Sequence, residues 1–286
     1  MAADHIALLH HGGGAARWGN LGLWRAEEGG PRDYAAAGAA LARAVGKAAG
    51  IAEGDSVLSL ACGAGEELAL WAEEFGATSV MALEADPARA AQARQRAEAI
   101  HTGCIIDVHC ADARLLPRLV GGRFERIVCV DAAYHLAPRL PLLRAARRLL
   151  QPGGGFAFTD LVIDDGDGDR DSDRDGRRNR NDSVAAWRRG ALEFGARLSG
   201  VTRAEVLTPQ ASMQRLRDAG FTGDVRLKRL DEAVLDGFCH FAARQAQRLP
   251  WSVRASAGWR RVALTRALIR ACRSAGLGYA LIGARA

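Results

Sequence analysis

Short apolar runs and helically spaced stretches take turns along the first half of the chain. Ser56–Ala61 (SVLSLA), Ser79–Leu83 (SVMAL), Ile105–His109, Arg126–Val130 (RIVCV) and Phe156–Ile163 (FAFTDLVI) read as strands. Asp33–Ala49, Glu66–Phe75, Pro87–Ile100 and Pro138–Leu150 read as helices. Pro87 stands in a first turn, where its missing N–H leaves no bond unmade, and Gly76 and Gln151-Pro152-Gly153-Gly154-Gly155 are stop signals. Strands alternating with helices predict an α/β fold with a parallel sheet covered on both faces. Ligands of such sheets bind beyond the carboxyl ends of the strands.

The pattern then breaks. Asp164–Asp182 (DDGDGDRDSDRDGRRNRND) contains no apolar residue, can bury nothing, and reads as a disordered polar insertion. Beyond it, helices are predicted at Val184–Leu198, Pro209–Ala219, Ala233–Arg248 and Ser256–Ala275, with strands at Asp224–Leu230 and Gly278–Gly283. The sum is a doubly wound, seven-stranded, mostly parallel sheet with a helical cap. We divide the chain into a lid and leading helix (1–55), a ligand-binding α/β core (56–163), the insertion (164–182), and cap helices with the last strands (183–286). Within the insertion, Asp171 to Asp182 follows the outline of a calcium loop apart from its final acid. Four arginines crowd it and an apolar position is filled by Arg178, so no metal is expected.

Composition narrows the class. Of 286 residues, 49% are hydrophobic and 25% charged, which suits a globule with a substantial core and excludes a wholly disordered chain. No run approaches the roughly 20 apolar residues of a membrane span. The formal charge of +6 comes from arginines scattered along helices, a solvated basic surface rather than a nucleic-acid site. None of the six cysteines forms a CxxC pair, and Cys62 and Cys129 fall in apolar runs as core residues. Met1–Trp18 lacks the pattern of a signal peptide, so a reducing, cytoplasmic setting is expected.

The chemistry concentrates in Val57–Glu67 (VLSLACGAGEE), where a strand ends in a turn bearing Gly63 and Gly65 and a helix begins. Glycine lets main chain approach a ligand, and the helix start offers unpaired N–H groups. Glu84, at the end of the second strand, can accept both hydroxyls of a ribose, and Asp112, after the third, can accept an adenine amine. Either acid is alternatively an ordinary turn residue. A dinucleotide site wants a third glycine and a helix start free of negative charge. Here Leu68 stands at that position, and Glu66 and Glu67 would repel a pyrophosphate. A cofactor bearing a sulfonium and an amino group, S-adenosylmethionine, fits better than NAD.

These residues resemble the class I S-adenosylmethionine-dependent methyltransferases, in particular the small-molecule enzymes of the tocopherol, sarcosine and sugar O-methyltransferase type. The resemblance spans Trp18 to Phe221 and rests on the order and spacing of six motifs: NLGLW (Asn20–Trp24), LACGAG (Leu60–Gly65), LEAD (Leu83–Asp86), ADA (Ala111–Ala113), VDAAYHL (Val130–Leu136) and LLQPGGGFAFTD (Leu149–Asp160). It implies a Rossmann-like fold and a cofactor held by Trp24, Ala61, Gly63, Gly65, Glu84, Ala85, Asp112, Ala113 and Asp131. Within that set, the turn takes the methionine part, Glu84 the ribose and Asp112 the adenine. It also places the segment of Trp18, Trp24 and Tyr34 over the cofactor as a lid. Two positions depart from the family pattern. Ser59 stands where an acid is usual, and Ala61 stands where glycine is usual, which narrows the space beside the cofactor's amino-acid part.

The Pro-Pro-aromatic signature of nucleic-acid amino methyltransferases is missing from Asp131-Ala132-Ala133-Tyr134-His135. His135 is the general-base candidate, since imidazole titrates near neutrality. Asp160, at the end of the fifth strand, is a candidate to orient it. Their alternatives are a strand-end hydrogen-bonder and a turn cap. In the sugar O-methyltransferases that the chain resembles, a histidine and an aspartate at these positions are implicated in catalysis. A base favours an oxygen acceptor, because a hydroxyl must lose its proton and an amine need not. Trp187, Phe194, Trp251 and Trp259 wall an acceptor pocket or simply pack. The expected function is methyl transfer to a small organic acceptor in specialised metabolism, without nucleic-acid or membrane partners. The rivals are a nicotinamide-dependent oxidoreductase and a non-catalytic cofactor-binding homologue.

Overall fold

The architecture is that of a computed structural model, which describes Leu9 and residues 17–24, 33–119, 121–164 and 178–286. Seven strands form one sheet: β1 (Ser56–Leu60), β2 (Ser79–Glu84), β3 (Ile105–Cys110), β4 (Phe124–Cys129), β5 (Leu150–Ile163), β6 (Val225–Arg229) and β7 (Leu277–Arg285). Their order is β3-β2-β1-β4-β5-β7-β6. The first five run parallel, and β7 is antiparallel to both of its neighbours. The chain reverses its winding between β1 and β4, and a sheet of this kind opens its ligand crevice at that reversal.

Helix α1 (Tyr34–Ala49) starts where Asp33 accepts the Ala36 N–H at 2.8 Å and ends at Gly50 in left-handed backbone. A four-residue α2 (Glu66–Ala69) widens into a π turn over Leu70–Glu74, in place of the uniform helix expected there. Helix α3 (Pro87–Glu98) is capped by Asp86, with proline at its first position. A tight turn at Ala113–Leu115 leads into α4 (Leu116–Leu119), and α5 (Arg139–Leu149) precedes β5. The second half carries α6 (Arg178–Ser199), α7 (Pro209–Asp218), a π turn (Glu232–Asp236) leading into α8 (Gly237–Arg248), then α9 (Trp251–Arg254) and α10 (Ala257–Ser274).

Alternation along β1 sends Val57 and Ser59 to one face and Leu58 and Leu60 to the other. The Val57 face packs with α1, α2, α3, α8 and α10, and the Leu58 face with α4, α5 and α7. Two boundaries differ from expectation. Helix α6 begins at Arg178, inside the polar stretch, so that stretch does not act as a loop throughout. Strand β5 begins six residues early, because residues 150–155 continue beside β4 with an irregularity between Phe124 and Arg126. Most of the calcium-loop outline lies outside the described residues, and no metal-holding group of His, Cys, Asp or Glu occurs among those described. No described helix is long and apolar enough to cross a membrane.

Candidate active site

A cleft of about 1030 Å³ opens at the reversal point. Its floor is the turn after β1. Gly63 has φ of 60°, and a Cβ there would meet nothing within 4 Å, so bare main chain faces the space. Gly65 (φ 82°) is needed for a different reason: a Cβ would lie 2.9 Å from the Ala93 backbone, and its absence lets α3 close against the turn. Ala61 adopts left-handed backbone (φ 56°) without being glycine.

Acids surround this floor. Glu84 Oε2 accepts the Gly63 N–H at 2.9 Å and Oε1 accepts the Asp86 N–H at 2.9 Å, tying the end of β2 to the turn. Glu66 pairs with Arg96 and also accepts the Arg17 N–H. Glu67 is buried and accepts a short hydrogen bond from the Ser59 hydroxyl, which the strand alternation points toward α2. Burial pushes the Glu67 carboxyl up to about 8. Asp112 also lines the cleft and is bound by Arg114 through Nε at 2.8 Å and Nη2 at 2.5 Å. Those hydrogen bonds lower its pKa.

On the opposite wall, Asp131 follows β4 with φ of 53°. Its Oδ1 accepts the hydroxyls of Tyr134 (2.9 Å) and Tyr279 (2.5 Å), and its Oδ2 accepts the Leu21 N–H (2.6 Å). The Asp131 N–H donates to Thr159 Oγ1 at 2.8 Å. Burial raises its pKa to about 6, against the pull of those donors. The segment 17–24 is thereby fastened to the sheet. It is also held by Leu23 N–H to Ala37 O (2.8 Å) and Trp24 N–H to Ala233 O (2.6 Å).

His135 lies at the mouth, its ring 4.5 Å from the Tyr134 ring, and exposed to the cleft. Desolvation lowers its pKa; the Gly200 carbonyl, accepting a ring N–H, pulls upward, and the Arg139 charge pushes down again. Asp160 does not orient it. Asp160 binds Arg139 instead, with the side chains only 8% and 3% exposed, and its other oxygen accepts the Leu161 N–H. A carboxylate buried this deeply takes the nearest permanent cation, and α5 supplies one four residues after His135. Burial still raises its pKa to about 6.

Of the expected cofactor residues, Ala61, Gly63, Glu84, Ala85, Asp112 and Asp131 line the cleft. Gly65 shapes the turn from behind, and Ala113 is buried in the turn after Asp112. Trp24 does not reach the cleft, because its indole stacks on Phe241 (4.5 Å) in the core and its N–H donates to Leu21 O. Of the three aromatic residues expected in a lid, Trp18 lines the cleft, whereas Tyr34 is buried with Trp24. Trp187, Phe194 and Trp251 are exposed and Trp259 is buried, and none of the four lines the cleft. Arg261 of α10 does. The residues that the sequence did not single out are Arg114, Arg139, Gly200 and Tyr279, and none of them carried a local signal. Glu67 was noted there only as a charge that a pyrophosphate would meet.

The donor set fits an adenosyl sulfonium. Glu66 and Glu67 occupy the helix start where a pyrophosphate would need N–H groups unopposed by charge. Carboxyl groups that can accept hydroxyls and cations line the rest.

Comparison with known proteins agrees. A family described as "methyltransferase domain" matches residues 57–154. The erythromycin 3''-O-methyltransferase of Saccharopolyspora erythraea is 28% identical over 80% of this chain and 69% of its own length. The cyclopropane synthase MmaA2 of Mycobacterium tuberculosis superposes with a TM-score of 0.72 over 100% of this chain and 95% of its own, at 14% identity. The geranyl diphosphate C-methyltransferase of Streptomyces coelicolor, solved with S-adenosyl-L-homocysteine, gives 0.66 over 98% and 93%, also at 14% identity. With the glycine turn, the acid-lined cleft and the sheet order, the matched methyltransferase domain and these likenesses support a class I S-adenosylmethionine-dependent methyltransferase.

Proposed function

We propose that this enzyme methylates a hydroxyl oxygen of a small organic acceptor of specialised metabolism, with His135 as the general base. In this reading Glu84 receives the ribose hydroxyls, Asp112 the adenine amine, and the main chain from Ala61 to Gly63 runs along the methionine part. The bound cofactor supplies an electrophilic methyl group and a neutral thioether leaving group.

The observation that carries the reading is the state of His135. Its pKa lies below the ordinary imidazole value, so the ring is neutral at pH 7. The Gly200 carbonyl beside the ring pulls that pKa upward in part, and a neutral ring keeps one nitrogen lone pair for an acceptor hydroxyl. Arg139, held by Asp160, opposes protonation of the ring. Alignment of acceptor and donor in the cleft supplies the larger share of acceleration, on the order of 7–11 kcal/mol in favourable cases. The named O-methyltransferase among the relatives points to oxygen and to a sugar-bearing polyketide as the first acceptor to try.

The test is transfer of labelled methyl to a macrolide with a free 3''-hydroxyl sugar and to matched amine and alkene acceptors. Label on oxygen is expected; label only on nitrogen or carbon would replace the reading. His135→Ala should lower kcat by about 10²-fold without altering cofactor affinity. The acid limb of kcat/KM should fall below the ordinary imidazole value of about 6.5.

A further inference from the structure

We propose that Glu67, presented by Ser59, is the carboxyl that receives the ammonium group of the cofactor's amino-acid part. The inference rests on S-adenosylmethionine occupying this cleft.

Elimination among the acids of the cleft leads to it. Both oxygens of Glu84 hold backbone N–H groups, and both of Asp131 hold hydroxyls or the lid. Asp112 is occupied by Arg114, and Glu66 by Arg96. Asp86 is exposed and caps α3. Glu67 is the buried acid of the cleft that is met by neither a backbone N–H nor a cation among the described residues; the Ser59 hydroxyl donates to its Oε1. It is 5% exposed. A carboxyl so buried is ordinarily paired with a cation. No described guanidinium or ammonium pairs with it.

Strand β1 brings the Ser59 hydroxyl, the turn brings the Cys62 thiol, β2 brings Glu84 and β4 brings the Cys129 thiol. Trp71, one turn along the same helical segment, brings a buried indole N–H whose approach favours the ionised carboxyl. None is positive. Burial, with Glu84 adding to it, keeps the carboxyl largely protonated at neutral pH. A cation arriving from the cleft would stabilise the ionised form of this carboxyl, which its neutral neighbours favour only in part. The acid missing from Ser59's position in β1 is therefore supplied from α2, and Ser59 aims it.

Binding must then move a proton. At pH 7 an incoming ammonium converts the Glu67 carboxyl to carboxylate, and the released proton goes to the buffer. The experiment is calorimetry at pH 7 in two buffers of different ionisation enthalpy. The probes are S-adenosylhomocysteine and 5′-methylthioadenosine, which lacks the amino-acid part. Glu67→Gln is isosteric and keeps an acceptor for Ser59. It should weaken S-adenosylhomocysteine about tenfold or more and leave 5′-methylthioadenosine within about twofold. The wild type should release a proton with the first probe, and the variant should not. Ser59→Ala should weaken the first probe by a smaller factor. Equal weakening of both probes in a folded variant, or no weakening of either, would overturn the assignment. Wild-type protein that binds neither probe would overturn the cofactor reading itself.

Discussion

At the end of β1, Ala61 has φ of 56°; at the end of β4, Asp131 has φ of 53°. Both are L residues in the left-handed region, which costs each about 1–2 kcal/mol. What holds them there differs. Around Ala61 the ties are local and made by main chain: the Cys62 N–H bonds Leu83 O at 3.0 Å, and Glu84 takes the Gly63 N–H. Its own methyl group contributes no hydrogen bond. At Asp131 the side chain itself holds the conformation, gathering Leu21, Tyr134 and Tyr279 from three separate parts of the chain. The glycine-turn side of the cleft is thus a conformational motif, while the β4–β5 side is a network of distant partners.

The largest expected break of this contrast is on the β4–β5 side. Arg139→Ala strands the Asp160 carboxyl in the core and should lower stability by about 3–5 kcal/mol. Replacing the pair together, Arg139→Met with Asp160→Leu, should recover most of that loss in chemical denaturation. A single variant within about 1 kcal/mol of wild type would show that the pair is not buried as described.

The two sides should also titrate separately. Asp131 and Asp160 are raised to about 6 and Glu67 to about 8, all above the values of roughly 4 in an unfolded chain. Raised acids bind protons more tightly when folded, so stability falls as pH rises through each folded value. Between pH 4 and 6 all three contribute, with His135 acting oppositely below about 6.5 because its folded pKa is lowered. Between pH 6.5 and 8 Glu67 dominates. Its slope is at most about 1.4 kcal/mol per pH unit. Denaturation at several pH values should find that Glu67→Gln flattens the upper window and Asp131→Asn only the lower one. Loss of the upper slope in Asp131→Asn would merge the two sides.

The smallest effect is a gain. Ala61→Gly relieves the left-handed strain and should stabilise the fold by about 0.5–1 kcal/mol in the same assay. Asp131→Gly, at nearly the same φ, should destabilise, since it discards three hydrogen bonds. Matching gains at both positions would erase the distinction.

Legibility in the sequence follows the same divide. The strands and the glycine turn were readable because period-two alternation and a Gly-x-Gly before a helix are local consequences of backbone geometry. Glu84 was readable for the same reason, being placed by the length of one strand–helix–strand unit. The Asp160 assignment failed because Arg139, not His135, is its partner, and no periodicity ranks two nearby cationic groups. Trp24 was misplaced toward the cofactor because its position depends on Phe241, more than two hundred residues later. Gly200 and Tyr279 could not be found at all. One acts through a main-chain carbonyl that any residue possesses, and the other is an ordinary strand tyrosine until Asp131 folds beneath it.

Strand β7 threads between β5 and β6, and its Tyr279 hydroxyl closes on both Asp131 and Thr159. During synthesis the glycine turn and its acids can settle long before that tyrosine leaves the ribosome. The wall opposite them cannot. The mouth of the cleft is therefore among the last parts to mature, and a nascent chain halted before β7 would carry half of the cleft with its Asp131 not yet held by Tyr279.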